Sequence, residues 1–355
     1  MRWDALRAGS PDEGSPSAQP EPMLFEQRAV TRTFDTPAFR GMTFFEVQAR
    51  SIINRVPDAS RLPFRWTINP YRGCSHSCIY CFARKSHNYL DLDSGHDFDS
   101  KIVVKVNAPD LVRKELAAPR WRGEHIAMGT NVDCYQRAEG RYQLMPGILA
   151  ALRDAANPFS ILTKGTLILR DLDLICAAAE VTDAGLAVSV GCADTGLWRE
   201  LEPGTPSPQR RLEVCAAVTA AGLPCAVLMG PVVPFLSDSP AQLENTVRQI
   251  AQAGAASVTP IVLHLRTGAR EWFFRWLGAA HPDLVHRYRA LYGRGAYAPA
   301  AYQKRVTEQV RELAGRYGVG RGAPNARRRG PGRFAGPAER RADFQTAAPQ
   351  QLTLL

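Results

Sequence analysis

The chain has 355 residues, 45% of them apolar and 22% charged, with a formal net charge of +10. That composition excludes a wholly disordered, fibrous or coiled-coil chain and allows a sizeable core. The charge favours an anionic partner, yet eight arginines against one acid, Glu339, fall between Arg316 and Arg341, so the body of the chain is nearly neutral.

Residues 1–22 are rich in Ser, Pro, Glu and Gly and have few large apolar groups to offset chain entropy, which predicts a disordered leader. Residues 23–63 gain Phe25, Phe34, Phe39, Phe44, Phe45, Ile52 and Ile53, as an arm docked on the body requires. Beyond them, apolar runs at 66–69, 126–129, 159–163, 186–191, 225–229 and 257–263 read as strands separated by helical patterns. Asn107-Ala-Pro, Ser207-Pro208 and Ser239-Pro240 look like helix starts. After Ser239, Leu243, Val247, Ile250 and Gly254 form one stripe at three-to-four spacing.

Six such units predict an α/β fold, a partial (βα)6 TIM-like barrel over residues 64–318 with a C-terminal helical region; a doubly wound open sheet is the second choice. Residues 319–355 are expected to be a basic, disordered tail. No secretory signal or membrane-length apolar run is visible, the stretch 225–236 being broken by Gly230, Pro231 and Pro234. With eight cysteines, a cytoplasmic setting is expected, where clustered thiols bind metal or react.

The strongest chemical signal is Asn69-Pro-Tyr-Arg-Gly-Cys74-Ser-His-Ser-Cys78-Ile-Tyr-Cys81-Phe-Ala-Arg, a C-x3-C-x2-C spacing directly after the first barrel strand. Thiolates are soft donors suited to iron–sulfur clusters, and one short loop can wrap several corners of a cubane. Three ligands leave one iron open to a small molecule. The alternative is a zinc site completed by His76, His87 or Cys134, but no second C-x2-C or H-x3-H follows.

At these residues the sequence resembles the radical S-adenosylmethionine (SAM) superfamily, and more narrowly its spore photoproduct lyase-like, DNA repair photolyase-like branch. The resemblance runs on through HNYLDLDSGHDFDSKIVVK, TNVDCYQRAEG, LTKGTLILRDLDL, SVGCADTGLWRELEPGTPSPQRRLEV and GPVVPFLSD, about half the chain. It implies a 4Fe-4S cluster on Cys74, Cys78 and Cys81, SAM as co-substrate, an electron donor, and reductive cleavage of SAM to a 5′-deoxyadenosyl radical. It further implies that Tyr80 contacts adenine, Lys164 pairs with the SAM carboxylate and Ser189 bonds the ribose. The spore lyase relays hydrogen through a tyrosine after the third cysteine and a cysteine ending the second strand; Phe82 and Thr130 stand there in this chain. Thymine-dimer lyase activity is therefore not implied, and Cys134 is the displaced donor that the resemblance leaves.

Cys176, Cys215 and Cys225 have apolar neighbours and read as core, while Cys192 is undecided. Asp91, Asp93, Asp97 and Asp99 lack the glycine and final glutamate of a calcium loop and read as a solvated turn or a substrate-side loop. Asp133, Tyr135, Gln136 and Glu139, and Glu202 with Arg211, fit either a site or a structural ion-pair set. His264 and Arg266 close the sixth strand. The terminal Gln351-Leu-Thr-Leu-Leu355 resembles the bacterial sliding-clamp binding motif, and with the arginine-rich tail it favours a partner on or near nucleic acid. The expected function is a radical SAM enzyme in nucleic-acid repair or modification. The alternatives are a clamp-associated or redox-sensing iron–sulfur protein without turnover, or radical modification of RNA or protein.

Overall fold

The computed structural model describes residues 29–57, 60 and 62–321. The expected leader, the start of the arm, nearly all of the basic tail and the peptide from Gln351 to Leu355 lie outside the described residues.

The strands are β1 (Val30–Thr33), β2 (Thr43–Val47), β3 (Ile53–Arg55), β4 (Trp66–Ile68), β5 (Tyr71–Arg72), β6 (Lys101–Lys105), β7 (Ile126–Met128), β8 (Phe159–Thr163), β9 (Ala184–Ser189), β10 (Cys225–Val232) and β11 (Ser257–Val262). The larger sheet runs β11-β10-β9-β8-β7-β4-β3, with six parallel strands and β3 antiparallel at one edge. All six expected barrel strands are present and neighbour one another in chain order. A doubly wound sheet would reverse that order at a switch point, so the partial barrel is the architecture.

One face of this sheet carries Ile126, Met128, Ile161, Val188 and Val227, all buried against the helices. The opposite face carries small and polar residues. By register, Thr67, Ala127, Ser160 and Gly185 lie in one row. Leu162, Ala187, Ala226 and Ser257 form the next. Closed eight-stranded barrels fill this layer with bulky branched side chains; here most of these positions are only half-buried, so the concave face is a trough.

The helices start where sequence chemistry places them. Ser207 and Ser239 cap Pro208–Ala220 and Pro240–Gln252, with proline in the first turn of each. Asn107 differs. It precedes Ala108–Leu116 but makes no cap bond; its amide instead accepts from the Ala49 N–H at 2.9 Å and donates to the Ala49 carbonyl at 2.9 Å. Glu115 on the same helix accepts from the N–H groups of Ile52 and Ile53 at 2.8 and 2.9 Å. These side chains hold the arm to the body.

The second sheet, β1-β2-β6-β5, was not visible as a sheet in the sequence. Its strand β6 lies inside the KIVVK segment directly after the acidic turn, and it pairs parallel with β2 of the arm and antiparallel with β5. Because β5 ends two residues before Cys74, this sheet anchors the entrance to the cysteine loop.

Candidate active site

Gly73 lets the chain turn from β5 into the cysteine loop. It has φ of +83°, and a Cβ there would lie 2.9 Å from both His87 Cε1 and the Lys101 carbonyl oxygen. The loop is then fastened at several points. The Cys74 N–H donates to the Phe98 carbonyl at 2.9 Å and the Ile79 N–H to the Leu201 carbonyl at 2.9 Å. Gln136 accepts from the Ser75 N–H at 3.0 Å and donates to the Gly73 carbonyl at 2.9 Å. Gly204 approaches so closely that a Cβ on it would stand 2.2 Å from the Ser75 carbonyl oxygen.

Arg84, the last residue of the cysteine motif, is completely buried. It donates to the Cys78 carbonyl through Nε and Nη2 at 3.2 and 3.0 Å, to the Gly95 carbonyl at 2.8 Å, and to both oxygens of Asp99 at 2.9 and 3.0 Å. Its guanidinium also lies against Phe98 and Trp272. Sequence reading assigned it no role; its place one helical turn past the third cysteine was the available signal. The same contacts show what the acidic run does. Asp99 pairs with Arg84, Asp97 pairs with Lys101 at 2.9 Å, and Asp93 accepts from the Gly95 and His96 N–H groups, so the run is a structured turn that braces the loop.

Asp133, just past β7, joins the first three barrel units. It accepts from the Tyr135 N–H at 2.9 Å, the Thr163 hydroxyl at 2.7 Å and the Lys164 N–H at 2.7 Å, and lies 3.4 Å from His76 Nδ1. Burial pushes the His76 imidazole down to about 4 despite the opposing pull of Asp133, so this contact is to a neutral ring at neutral pH.

Tyr80 donates its hydroxyl to Glu202, and Glu202 forms an ion pair with Arg211. All three are well enclosed, Arg211 and Glu202 being buried. Arg211 also donates to the Ser189 carbonyl at 2.9 Å, the Pro206 carbonyl at 2.8 Å and the Thr205 hydroxyl at 2.8 Å. Burial alone would raise the Glu202 carboxyl, but the Arg211 and Lys164 charges outweigh it and hold the group below the ordinary carboxylate range. Lys164 Nζ stands 5.9 Å from the centroid of the Tyr80 ring. The Ser189 hydroxyl donates to the Gly230 carbonyl at 3.1 Å, which leaves its oxygen lone pairs as acceptors. Tyr80, Lys164 and Ser189 are thus gathered around the Glu202–Arg211 pair, a bridge that spacing alone did not reveal.

Cys134 is placed elsewhere. It is wholly buried in the core, where Glu139 and Tyr71 are its charged and phenolic neighbours. Glu139 there accepts from Tyr71 at 2.5 Å and from Arg170 at 2.6 Å, while Tyr135 donates to Asp171 at 3.0 Å. The ambiguous set therefore divides: Asp133, Gln136, Glu202 and Arg211 hold the site, and Tyr135 and Glu139 form a structural network. Cys192 lines a cavity of about 10 Å³ with Tyr80 and Glu202. Cys215 and Cys225 hydrogen-bond to one another in the core, whereas Cys176 is only half-buried.

The donor set was tested for fit to a cluster. Cys74 and Cys78 are buried and Cys81 is half-buried. Cys78 and Cys81 raise the proton affinity of Cys74, and Cys81 that of Cys78, so the three sulfurs share one electrostatic neighbourhood. Burial pushes Cys78 up to about 12, and Lys164 opposes that rise. Three soft donors in one dry loop suit a polynuclear iron–sulfur group whose cationic irons displace the thiol protons. Among the described residues, no group of three His, Cys, Asp or Glu side chains stands as the ligand set of a single ion.

The model of the Radical SAM superfamily matches residues 68–250, just over half of the chain. The chain belongs to the radical SAM superfamily. As a member it is a radical SAM enzyme. A protein of Mycobacterium tuberculosis, Rv2578c, is 49% identical over 317 residues, covering 89% of this chain and 93% of its own length. A Methanocaldococcus jannaschii protein, MJ0683, is 30% identical over 198 residues, covering 54% of this chain and 69% of its own length. Spore photoproduct lyase complexed with dinucleoside spore photoproduct superposes with a TM-score of 0.59 at 15% identity, covering 78% of this chain and 80% of that one. The radical SAM barrel and the spore photoproduct lyase fold expected from the motifs are the fold observed. Among the described residues no helix is long and apolar enough to cross a membrane.

Proposed function

We propose that the chain carries a 4Fe-4S cluster on Cys74, Cys78 and Cys81, cleaves SAM, and acts on nucleic acid in repair or base modification. The observation that carries this reading is the cysteine loop packed directly against the Tyr80–Glu202–Arg211 bridge, with Lys164 Nζ 5.9 Å from the centroid of the Tyr80 ring. Bound to such a loop, the cluster and SAM supply a one-electron reductive cleavage that yields a 5′-deoxyadenosyl radical.

The side chains have separable tasks in this reading. Lys164 supplies a cation for the SAM carboxylate. Tyr80, its hydroxyl engaged by Glu202, presents an oriented ring for the adenine. Ser189 retains acceptor capacity for a ribose hydroxyl. Arg84 and Gln136 keep the loop closed around its thiols and exclude water. The eight arginines between Arg316 and Arg341 support a position near an anionic polymer. Cys134 is shut into the core, so this reading does not give it the hydrogen-donor role.

The test is anaerobic reconstitution with iron and sulfide, followed by dithionite and SAM. The expected result is a brown protein with ~4 irons per chain that releases 5′-deoxyadenosine. A fully loaded protein that releases none refutes the catalytic reading and leaves a structural or redox-sensing cluster.

A further inference from the structure

Arg84 links the cysteine loop to the outside of the molecule. On its buried side Nη2 donates to the Cys78 carbonyl at 3.0 Å, and its guanidinium carbon lies 4.9 Å from the centroid of the Trp272 ring. Trp272 stands half-buried on the helix Ala269–Ala280, with the exposed Arg275 guanidinium 5.5 Å from the same indole. The exposed His96 ring meets that indole edge-on at 5.3 Å. Gly95 makes room for it, since a Cβ there would stand 2.6 Å from Trp272 Cζ3. Two contacts thus join the backbone of a buried cysteine to a surface-facing aromatic ring.

The charge around that ring is not neutralised. Lys85 is exposed on the 3-10 helix Phe82–Leu90 and lies beside Gly268, at the start of the helix that carries Trp272. Arg270 donates to the Gly293 and Gly295 carbonyls at 2.7 and 2.8 Å, and Arg266 to the Tyr297 hydroxyl at 2.9 Å. Among the described residues Lys85, Arg266, Arg270 and Arg275 have no carboxylate partner. The acids nearby are already engaged: Asp99 by Arg84, Asp97 by Lys101, Asp93 by the Gly95 and His96 N–H groups, and Glu271 by the Gly268 N–H at 2.6 Å. An aromatic centre framed by free cations suits a carboxylate-rich protein surface.

We propose that Trp272, framed by Lys85 and Arg275, is the docking surface for a small acidic carrier protein that delivers single electrons to the cysteine loop. This rests on the radical SAM reading above and names the partner of the same site, because reductive cleavage of SAM consumes one electron per event and that electron comes from outside. The carrier is oxidised by one electron and the cluster held by the loop is reduced by one; no bond forms or breaks at the patch and no proton moves. A polyphosphate ligand would use the cations but not the short route from the indole to Cys78, whereas an electron carrier uses both. Redox encounters are small, below ~1,200 Å² of buried surface, which suits a patch of a few side chains.

The test uses the reconstituted full chain with a reduced, acidic plant-type 2Fe-2S ferredoxin as the carrier, under anaerobic conditions. Calorimetry gives the affinity of the complex, and EPR of rapidly frozen samples gives the rate at which the cluster of this chain becomes reduced. In the wild type both should weaken as salt is added. The double variant Lys85→Glu/Arg275→Glu should lower both by about tenfold or more at low salt, while iron per chain and the extent of reduction by dithionite stay as in the wild type. Trp272→Leu should slow reduction even at saturating carrier; Trp272→Phe, which keeps a ring against Arg84, should recover part of the rate and guards against a misfolded leucine variant. Wild-type affinity and rate in the double variant overturn the surface, as does a wild-type chain that dithionite reduces but the ferredoxin neither binds nor reduces. A double variant that loses single-stranded DNA while keeping the ferredoxin also overturns it. Release of 5′-deoxyadenosine with dithionite is measured in parallel: if it persists while the charge reversals change nothing, only the docking surface falls, and if it is absent while they still govern binding and reduction, only the catalytic reading falls.

Discussion

Glu202 and Arg211 form a buried ion pair whose carboxylate also receives the Tyr80 hydroxyl, so a loop after β9 and a helix before β10 jointly fix a residue of the cysteine loop. Removing one member of such a pair strands the other charge in a dry site. Arg211→Met is expected to cost about 3–5 kcal/mol, and the double variant with Glu202→Gln should recover part of that loss. Urea unfolding of the two single variants and the double variant measures the coupling. Additive losses would show that the pair is not coupled.

Gly204 touches the backbone of the cysteine loop. In Gly204→Ala the new Cβ meets the Ser75 carbonyl oxygen at 2.2 Å, with backbone atoms on both sides of the contact and no flexible side chain to yield. The expected cost is ~1–3 kcal/mol together with a displaced loop. Iron per chain after reconstitution should fall, and wild-type iron content in this variant would contradict the placement.

Arg84 holds the Cys78 carbonyl and the Asp99 carboxylate from a fully buried position. Lysine keeps the charge but cannot reproduce the planar fork. Arg84→Lys should therefore fold with reduced stability and lose its cluster to a chelator faster than the wild type. The decay of visible absorbance in the presence of EDTA reports this directly.

His264 is buried at the end of the last barrel strand beside Phe82, 5.5 Å between ring centroids. Burial, aided by the Arg266 charge, pushes its imidazole down to about 4 from an ordinary value of 6.5. The unfolded chain binds this proton more tightly. Its contribution to stability is complete above pH 6.5 and is lost as pH falls from 6.5 towards 4, by about 2–3 kcal/mol. His264→Gln should flatten that part of the stability profile. Denaturant midpoints of the two proteins at pH 7 and pH 4.5 give the comparison; parallel acid losses would assign the titration to another group.

The barrel was legible in the sequence because each of its strands is a short apolar run closed by turn residues. The cysteine trio stood out because its C-x3-C-x2-C spacing is local. What stayed hidden was long-range. Asn107 looked like a cap, since a cap is the commonest task for asparagine before a helix, yet its amide pairs with Ala49 some 58 positions earlier. Strand β6 was hidden because a short run reads as a strand only when its partners are known, and here they are an arm before the barrel and two residues of a motif. Glu202 and Tyr80 stand 122 positions apart, and no periodicity links them.

The pairing of β2 with β6, and of β6 with β5, makes residues 43–47 a wall of the cysteine loop. A scissile or splicing boundary drawn between arm and barrel would cut through one cooperative unit. Shortened versions begun at the first barrel strand would forfeit their hold on iron while retaining their helices, and any fusion partner is better joined at the far end.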